Sequence, residues 1–458
     1  MRTIAALLVC AILTGCATYT GIHGESKPVA LKKPSPKFSV TAKWWTIFRD
    51  DQLDSLIEEA IENSPTIRIA QARIRQAKSM ADVSGADLYP QLDANGSAVR
   101  ERISAKGYFP PPLGGSTLNL GQLTLDFDYE FDWWGRNRAA LDAALNETSV
   151  TEAEAVETRL LLGLAVAQTY FALQADLAKL NTSKQILARQ EALLDLARFR
   201  AKSGIDSDDR ASQMAGLLAQ EKIGISKLDE AVKLGRSQIS ALLGKPQNAE
   251  KPIAARIDPP PPLPSSIPAD SIGQRPDVMA QQYRLAAASN RIDQAKAEFF
   301  PNIDLSAYAG VQSIGFGNLF KGGSDIASFG PAIHLPIFGG GRLRANLGEK
   351  YAEYDIAVEE YNRMVIGAMR DVAQASTSLK SVSSQIAAQN DVLRALGDAH
   401  RIALDRYNHG LGDALSVLEA ETPLLIQKNV KTDLDERRLE LTLEMIQSLG
   451  GAPSINPG

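Results

Sequence analysis

Cysteine is nearly absent: Cys10 and Cys16 are the only two in 458 residues, so the body of the chain is not built on disulfides. Also missing is any uninterrupted apolar run of the about eighteen residues that a membrane-crossing helix needs. There is no basic excess. Lys and Arg number 49 against 54 Asp and Glu, a net charge of −5 and a pI of about 5.6, which does not suit a nucleic-acid partner. Histidine is scarce, and His23, His334, His400 and His409 have no metal-ligand spacing. No GxSxG occurs. The GGGR at 339–342 lacks both the GxGxxG and the Walker-lysine pattern, and reads as a hinge from strand to helix. The carboxylates show no acid–base pairing, so neither an enzyme nor a metal or cofactor is expected. Proline is missing from 113 to 245, which leaves room for very long helices. Apolar content of 44% and charged content of 22% are those of a folded protein.

The N-terminus stands apart. Arg2 precedes an apolar run, Ile4 to Leu13, too short to span a bilayer and of the kind found in signal peptides. It ends Leu13-Thr14-Gly15-Cys16, which resembles the bacterial lipobox. That resemblance implies cleavage before Cys16 and a covalent lipid on it. Ala17, where an aspartate would favour retention at the inner membrane, implies the outer one. Lipids on Cys16 would anchor the chain without making it span.

What the chain has in plenty is internal similarity. The segment from Ser64 aligns without a gap on that from Arg275, offset by 211: Pro65 meets Pro276, Arg73 meets Arg284, Pro90 meets Pro301 and Asp93 meets Asp304. Further on the offset is 206: Gly135-Arg136 meets Gly341-Arg342, and Leu243-Gly244 meets Leu449-Gly450. The expected organisation is a signal peptide over 1–15, an anchored segment with a first helix over 16–63, and repeat one over 64–257. A proline-rich linker over 258–268, repeat two over 269–451 and a tail over 452–458 complete it.

Each repeat alternates two strand patterns with helices. Strands are expected at about 90–100 and 122–133, and again at 301–313 and 327–338. In LTLDFDYEFDWWG, Leu123, Leu125, Phe127, Tyr129, Phe131 and Trp133 alternate with Thr124, Asp126, Asp128, Glu130 and Asp132, giving one apolar and one wet face. Pro331 falls where the first repeat has Leu125, so a bulge or an unpaired N–H is expected there. The run from Arg136 to Lys202 is rich in good helix formers, and its 67 residues would reach roughly 100 Å, longer than a compact domain. Ser203-Gly204 breaks it, and Ser207 is placed to cap a new helix; Gly410 and Asp413 repeat this break and cap. Pro423 should kink the last helix. Four amphipathic strands cannot close a cylinder, and an open sheet in lipid leaves backbone groups unpaired. Two copies would give a filled barrel; three would give twelve strands and a pore. Asp93, Asp126, Asp128, Glu130, Asp132 and Asp304 would then line water, with Tyr129, Trp133 and Trp134 as an interfacial aromatic belt.

WWTIFRDDQLDSLIEEAIENSPTIRIAQARI, RPDVMAQQYRLAAASNRIDQAKAEFFPNIDLSAYAG, LPIFGGGRLRAN and RYNHGLGDALSVLEAE together resemble the TolC-type outer-membrane efflux family, most of all its lipoprotein branch serving RND pumps (NodT-type). The resemblance covers nearly the whole chain after Cys16. It implies a mainly α fold with a membrane β-barrel: a homotrimer whose twelve strands form one outer-membrane barrel on a long periplasmic α-helical barrel. The implied function is a passive exit duct for drugs or other small molecules in a Gram-negative bacterium. The implied partners are two further copies, outer-membrane lipid, a periplasmic adaptor and an inner-membrane RND pump. The turns carrying Ser203, Gly204, Asp206, Ser207, His409, Gly410 and Asp413 would be the periplasmic tip that meets the adaptor. Glu419 is the candidate gate acid. Asp208, Asp209 and Asp413 also suit capping and first-turn roles. Thr422, where relatives can carry a basic residue, and Pro423 depart from the family pattern beside Glu419.

Two other readings use the same features: a duct of this fold serving type I protein secretion, and a coiled-coil lipoprotein that scaffolds the envelope without a barrel.

Overall fold

The computed structural model describes residues 18–31, 40–41, 43–246, 253–255, 257–261 and 269–453; Cys16, the leader and most of the proline-rich linker lie outside them. In chain order the elements are β1 (Val40–Thr41), a 3₁₀ turn (Trp44–Phe48), α1 (Asp51–Asn63), α2 (Pro65–Ala86), β2 (Gln91–Arg102), β3 (Thr117–Glu130), α3 (Arg136–Lys202) and α4 (Asp208–Leu242). The second repeat supplies α5 (Pro276–Ala297), β4 (Asn302–Ile314), β5 (Asp325–His334), α6 (Arg342–Asn408) and α7 (Ala414–Leu449), followed by β6 (Ala452–Pro453).

The repeats do not form separate bodies. One compact unit gathers Met1–Pro28, Arg73–Glu152 and Ala280–Asn362, the other Val29–Ala72, Ala153–Met279 and Arg363–Gly458, so each draws on both repeats. The first unit holds an antiparallel sheet in the order β2-β3-β4-β5. Within it Ile292, Phe299, Leu343 and Leu347 pack together with Ile22 from the N-terminal segment beside them. That segment is tied to α6: Asp355 accepts from the backbone N–H groups of Glu25 and Ser26 at 2.9–3.0 Å, and Asn362 donates to Lys27 O at 3.1 Å.

The second unit holds the main apolar core. The face of α1 formed by Leu53, Leu56, Ile57 and Ala60 packs with Trp44 and Trp45 on Val166, Ala167 and Tyr170 of α3, Ile239 of α4, and Leu439, Leu443 and Ile446 of α7. Asp50 starts α1 by accepting from Gln52 N and Leu53 N, and its other oxygen accepts from the Tyr170 hydroxyl at 2.8 Å, fixing cap and core together. Lys179 of α3 lies 3.1–3.2 Å from Asp176, Asp433 and Glu436, tying α3 to α7. Burial works against its charge, but the three carboxylates more than offset this and hold the ammonium pKa up.

Several expectations need correction. β3 starts earlier and ends earlier than 122–133. Thr117 to Gly121 still find partners on β2, whereas after Phe131 the chain turns, with Trp133 N bonded to Phe131 O at 2.8 Å and Gly135 at φ 77° leading into α3. β5 likewise stops at His334 rather than 338. Pro331 causes no bulge: the β4–β5 register runs unbroken, with Leu305 opposite Pro331. Gln312 N donates to Ser324 O, and that phase turns the odd-numbered residues of β5 toward the open edge. The missing N–H of Pro331 therefore faces away from β4, so the pairing of β4 with β5 loses no hydrogen bond to it. At the start of the tail, Ala452–Pro453 pair with Val40–Thr41. Pro423 lies inside α7, as its place in the sequence implied.

Candidate functional site

Two places carry the candidate residues, and the first is the wet face of the sheet. Register sets Asp93 opposite Asp126, Asp126 opposite Tyr308, Asp128 opposite Ser306, and Glu130 opposite Asp304. Like charges directly opposite are unfavourable unless water or donors screen them. Here the donors are neutral. Asn95 and Thr124 donate to Asp126 at 2.8 and 2.9 Å, Ser306 to Asp128 at 2.8 Å, and Asn302 to Asp304 at 3.0 Å. The donors to these three acids thus bring no positive charge to the wet face. Gly310 makes the row possible, because a Cβ there would sit 2.1 Å from Leu123 O.

Glu130 and Asp132 serve the start of α3. Glu130 is ion-paired with Arg136. Asp132 lies beyond β3 and accepts from Asn137 N and Arg138 N at 3.0 Å and from Arg138 Nε at 3.1 Å. Burial pushes its carboxyl up, but those N–H groups and the guanidinium outweigh it and hold the carboxyl below the usual range. Asp132 is therefore a helix cap, a correction to its expected place among the water-lining acids. The alternation continued past the end of the strand because a side-chain pattern does not show where the partner strand stops.

The opposite face is apolar and open. Leu92, Leu125, Phe329 and Ile333 are 68, 54, 75 and 71% exposed, a continuous apolar surface that needs a non-aqueous covering. Below it Tyr129, Phe131 and Trp133 stack edge to face, while Trp134 stacks on Phe300 at 4.5 Å and donates to Pro301 O at 2.9 Å. Such rings suit the boundary between apolar and wet surroundings.

The second place is the pair of turns joining α3 to α4 and α6 to α7. They are copies of each other. Gly204 and Gly410 both stand at φ 70°, and the next residue returns its N–H to the helix, Ile205 to Arg200 O and Leu411 to Arg406 O. Ser203 N donates to Phe199 O at 3.0 Å in the same closing turn. Asp413 caps α7, accepting from Ser416 N at 2.9 Å. Ser207 does not cap α4 through its side chain; its hydroxyl donates to the Asp209 carboxylate. His409 Nδ1 lies 2.7 Å from Asp405 O of its own helix.

Charge ties the two turns together. Arg200 donates to Asp206 at 2.7 Å and lies 3.9 Å from Asp413. The Arg200 guanidinium holds the Asp206 carboxyl below its usual range, and the Ser416 hydroxyl and N–H do the same for Asp413. Glu419 of α7 is ion-paired with Arg210 of α4. Thr422 gives its hydroxyl to Leu418 O, so the partner of the candidate gate acid comes from the other repeat. Arg200 and Arg210 were not singled out by sequence; an arginine on a helical run gives no sign of the acid it will meet. Nor were Ile205 and Leu411, which occupy equivalent positions in the two turns and are 60 and 71% exposed. The internal alignment, which pairs them, was the available signal. Among the described residues no group of His, Cys, Asp and Glu side chains is arranged to hold a metal ion.

The chain is similar along its whole length to known proteins. It is 29% identical over 486 residues to the multidrug resistance outer membrane protein MdtP of Escherichia coli K12, covering 100% of this chain and 98% of that one. It is 34% identical over 369 residues to the fusaric acid resistance protein FusA of Burkholderia cepacia, covering 75% of this chain and 68% of that one. The crystal structure of the outer membrane protein VceC from Vibrio cholerae superposes with a TM-score of 0.79 at 33% identity, covering 90% of this chain and 100% of that one. The model of the outer membrane efflux protein family matches twice, over residues 56–245 and 267–451, once in each repeat. The chain belongs to the outer membrane efflux protein family.

Proposed function

We propose that this protein is the exit duct of a tripartite efflux system, in which three copies share one twelve-stranded barrel in the outer membrane. The observation that carries this is the sheet. It has an exposed apolar face, an acid-bearing wet face and two edges unpaired among the described residues, and a four-stranded sheet in that state is complete only when other copies close it. Lipid would meet Leu92, Leu125, Phe329 and Ile333, and water would meet Asp93, Asp126, Asp128 and Asp304. Helices α3 and α6 would continue as the periplasmic tunnel. The turns around Gly204 and Gly410 would meet the adaptor, with Ile205 and Leu411 as its apolar contacts and the Arg210–Glu419 pair among the bonds holding the tip shut. An RND-type pump would supply drugs or other small molecules, and transport through the duct would be passive. A lipid on Cys16 would hold the N-terminal segment at the membrane.

The test is the native mass of the detergent-extracted protein, followed by single-channel recording and drug susceptibility of a deletion strain. Three chains per particle, a conducting pore and restored resistance are the expected results. A single chain that leaves the membrane without detergent once Cys16 is replaced would return the non-channel scaffold to the front.

A further inference from the structure

The two open edges of the sheet carry more than a need for closure: they carry its register. The offsets of 211 and 206 found in the sequence are obeyed by the structure, because Leu92 opposite Phe127 in the first hairpin becomes Ile303 opposite Ile333 in the second. The chain also contains a join between its two repeats, β3 with β4, in which Asp126 faces Tyr308 and Leu125 faces Ala309. The edge β5 is the repeat-two counterpart of β3, and the edge β2 is the repeat-one counterpart of β4.

We infer that β5 of one copy joins β2 of the next in the register of the internal β3–β4 join, so that Ala332 faces Ser97 and Pro331 faces Ala98 of the neighbouring copy. This rests on the shared-barrel reading and goes beyond it by fixing which residues meet. Three features of the single chain agree with it. Side-chain faces are preserved, since Ala332 and Ser97 both lie on the wet face and Pro331 and Ala98 both on the apolar one. Backbone phase is preserved too. Ile103 N donates to Ser116 O, which turns the even-numbered residues of β2 outward, as the Gln312–Ser324 bond turns the odd-numbered residues of β5 outward. Finally, Ile333 would face Gly96, repeating the large-against-small pairing of Phe127 with Ala307. A slip of one residue breaks both face and phase, so the competing registers are those two residues away, with Ser97 facing Gly330 or His334 instead.

Disulfide trapping separates these. Ser97 and Ala332 would form a non-hydrogen-bonded pair, the closer kind in an antiparallel ladder and within disulfide reach, whereas diagonal neighbours lie about 7–8 Å apart. The full-length protein is oxidised in native membranes as the double variant Ser97→Cys/Ala332→Cys, beside Ser97→Cys/Gly330→Cys and Ser97→Cys/His334→Cys. The single-cysteine variants account for Cys10 and Cys16, and Gln122→Cys/Gln312→Cys, opposed within one chain, checks that oxidant reaches the sheet. The expected result is conversion of most of the Ser97→Cys/Ala332→Cys monomer band into covalent dimer and trimer, with little from the other pairs. Preferred trapping of a neighbouring pair would overturn the register while leaving the shared barrel intact. With the internal control closed, no trapping in a particle of three chains would overturn the register alone. No trapping with the native mass of one chain would overturn the shared barrel as well.

Discussion

If the Arg210–Glu419 pair helps to hold the tip shut, removing it should open the duct by a calculable amount. The two side chains are 37 and 49% exposed, so solvent screens the pair and it is worth about 0.5 kcal/mol rather than several. Three copies acting on one opening give about 1.5 kcal/mol, roughly a tenfold shift of the closed-to-open equilibrium. Arg210→Gln and Glu419→Gln should each raise open probability in planar bilayers by about that factor, and the double variant should add little to either single one. Arg210→Glu combined with Glu419→Arg should restore closure, because the swap rebuilds attraction between the same two helices. Open probability within twofold of wild type in the single variants, or no recovery in the swap, would show that the pair is an ordinary surface contact. Salt provides a second check: the difference between wild type and Arg210→Gln should shrink as ionic strength rises.

Other outcomes follow from the same geometry. Neutralising Asp126 and Asp128 together should lower cation preference, read as reversal potential in a salt gradient, whereas Asp132→Asn should leave it unchanged, and Asp132→Ala should destabilise the start of α3 by about 1 kcal/mol in thermal melts. Lys179→Met should destabilise by about 3 kcal/mol, because it leaves Glu436 among other carboxylates without its cation. Burial already raises the Glu436 pKa, and a raised carboxyl pKa favours folding at low pH and loses that contribution as pH rises, so the melting deficit of Lys179→Met should be larger at pH 8 than at pH 5. Asp206 and Asp413 have depressed folded pKa values, so their contribution is complete above the ordinary aspartate pKa of about 3.9 and is lost only as pH falls through the lower folded values. Lowering pH from 7 to 5 should therefore leave these bonds intact; opening in that window that persists in Asp206→Asn and Asp413→Asn would assign the trigger to another group.

Sequence by itself determined the elements that depend on local chemistry and on periodicity. The limits of α3, Arg136 and Lys202, were readable because Gly135 and Gly204 bracket a proline-free run of helix formers. The strand faces were readable because alternation is a property of the backbone. The duplication was readable because the same pattern recurs at fixed offsets, and it carried the register of one hairpin onto the other. The family resemblance was legible for the same reason, being spread over nearly the whole chain in order. What only the tertiary structure decided was pairing between distant segments. That Asp132 caps α3 rather than lining water depends on where β3 loses its partner. That Pro331 needs no bulge depends on which edge its missing N–H faces. That Glu419 meets Arg210 rather than a neighbour in its own helix depends on how two repeats fold together. In each case the energy lies in a contact with a group from another strand or helix, or in the absence of one, and a one-dimensional pattern records the side chain but not what stands opposite it.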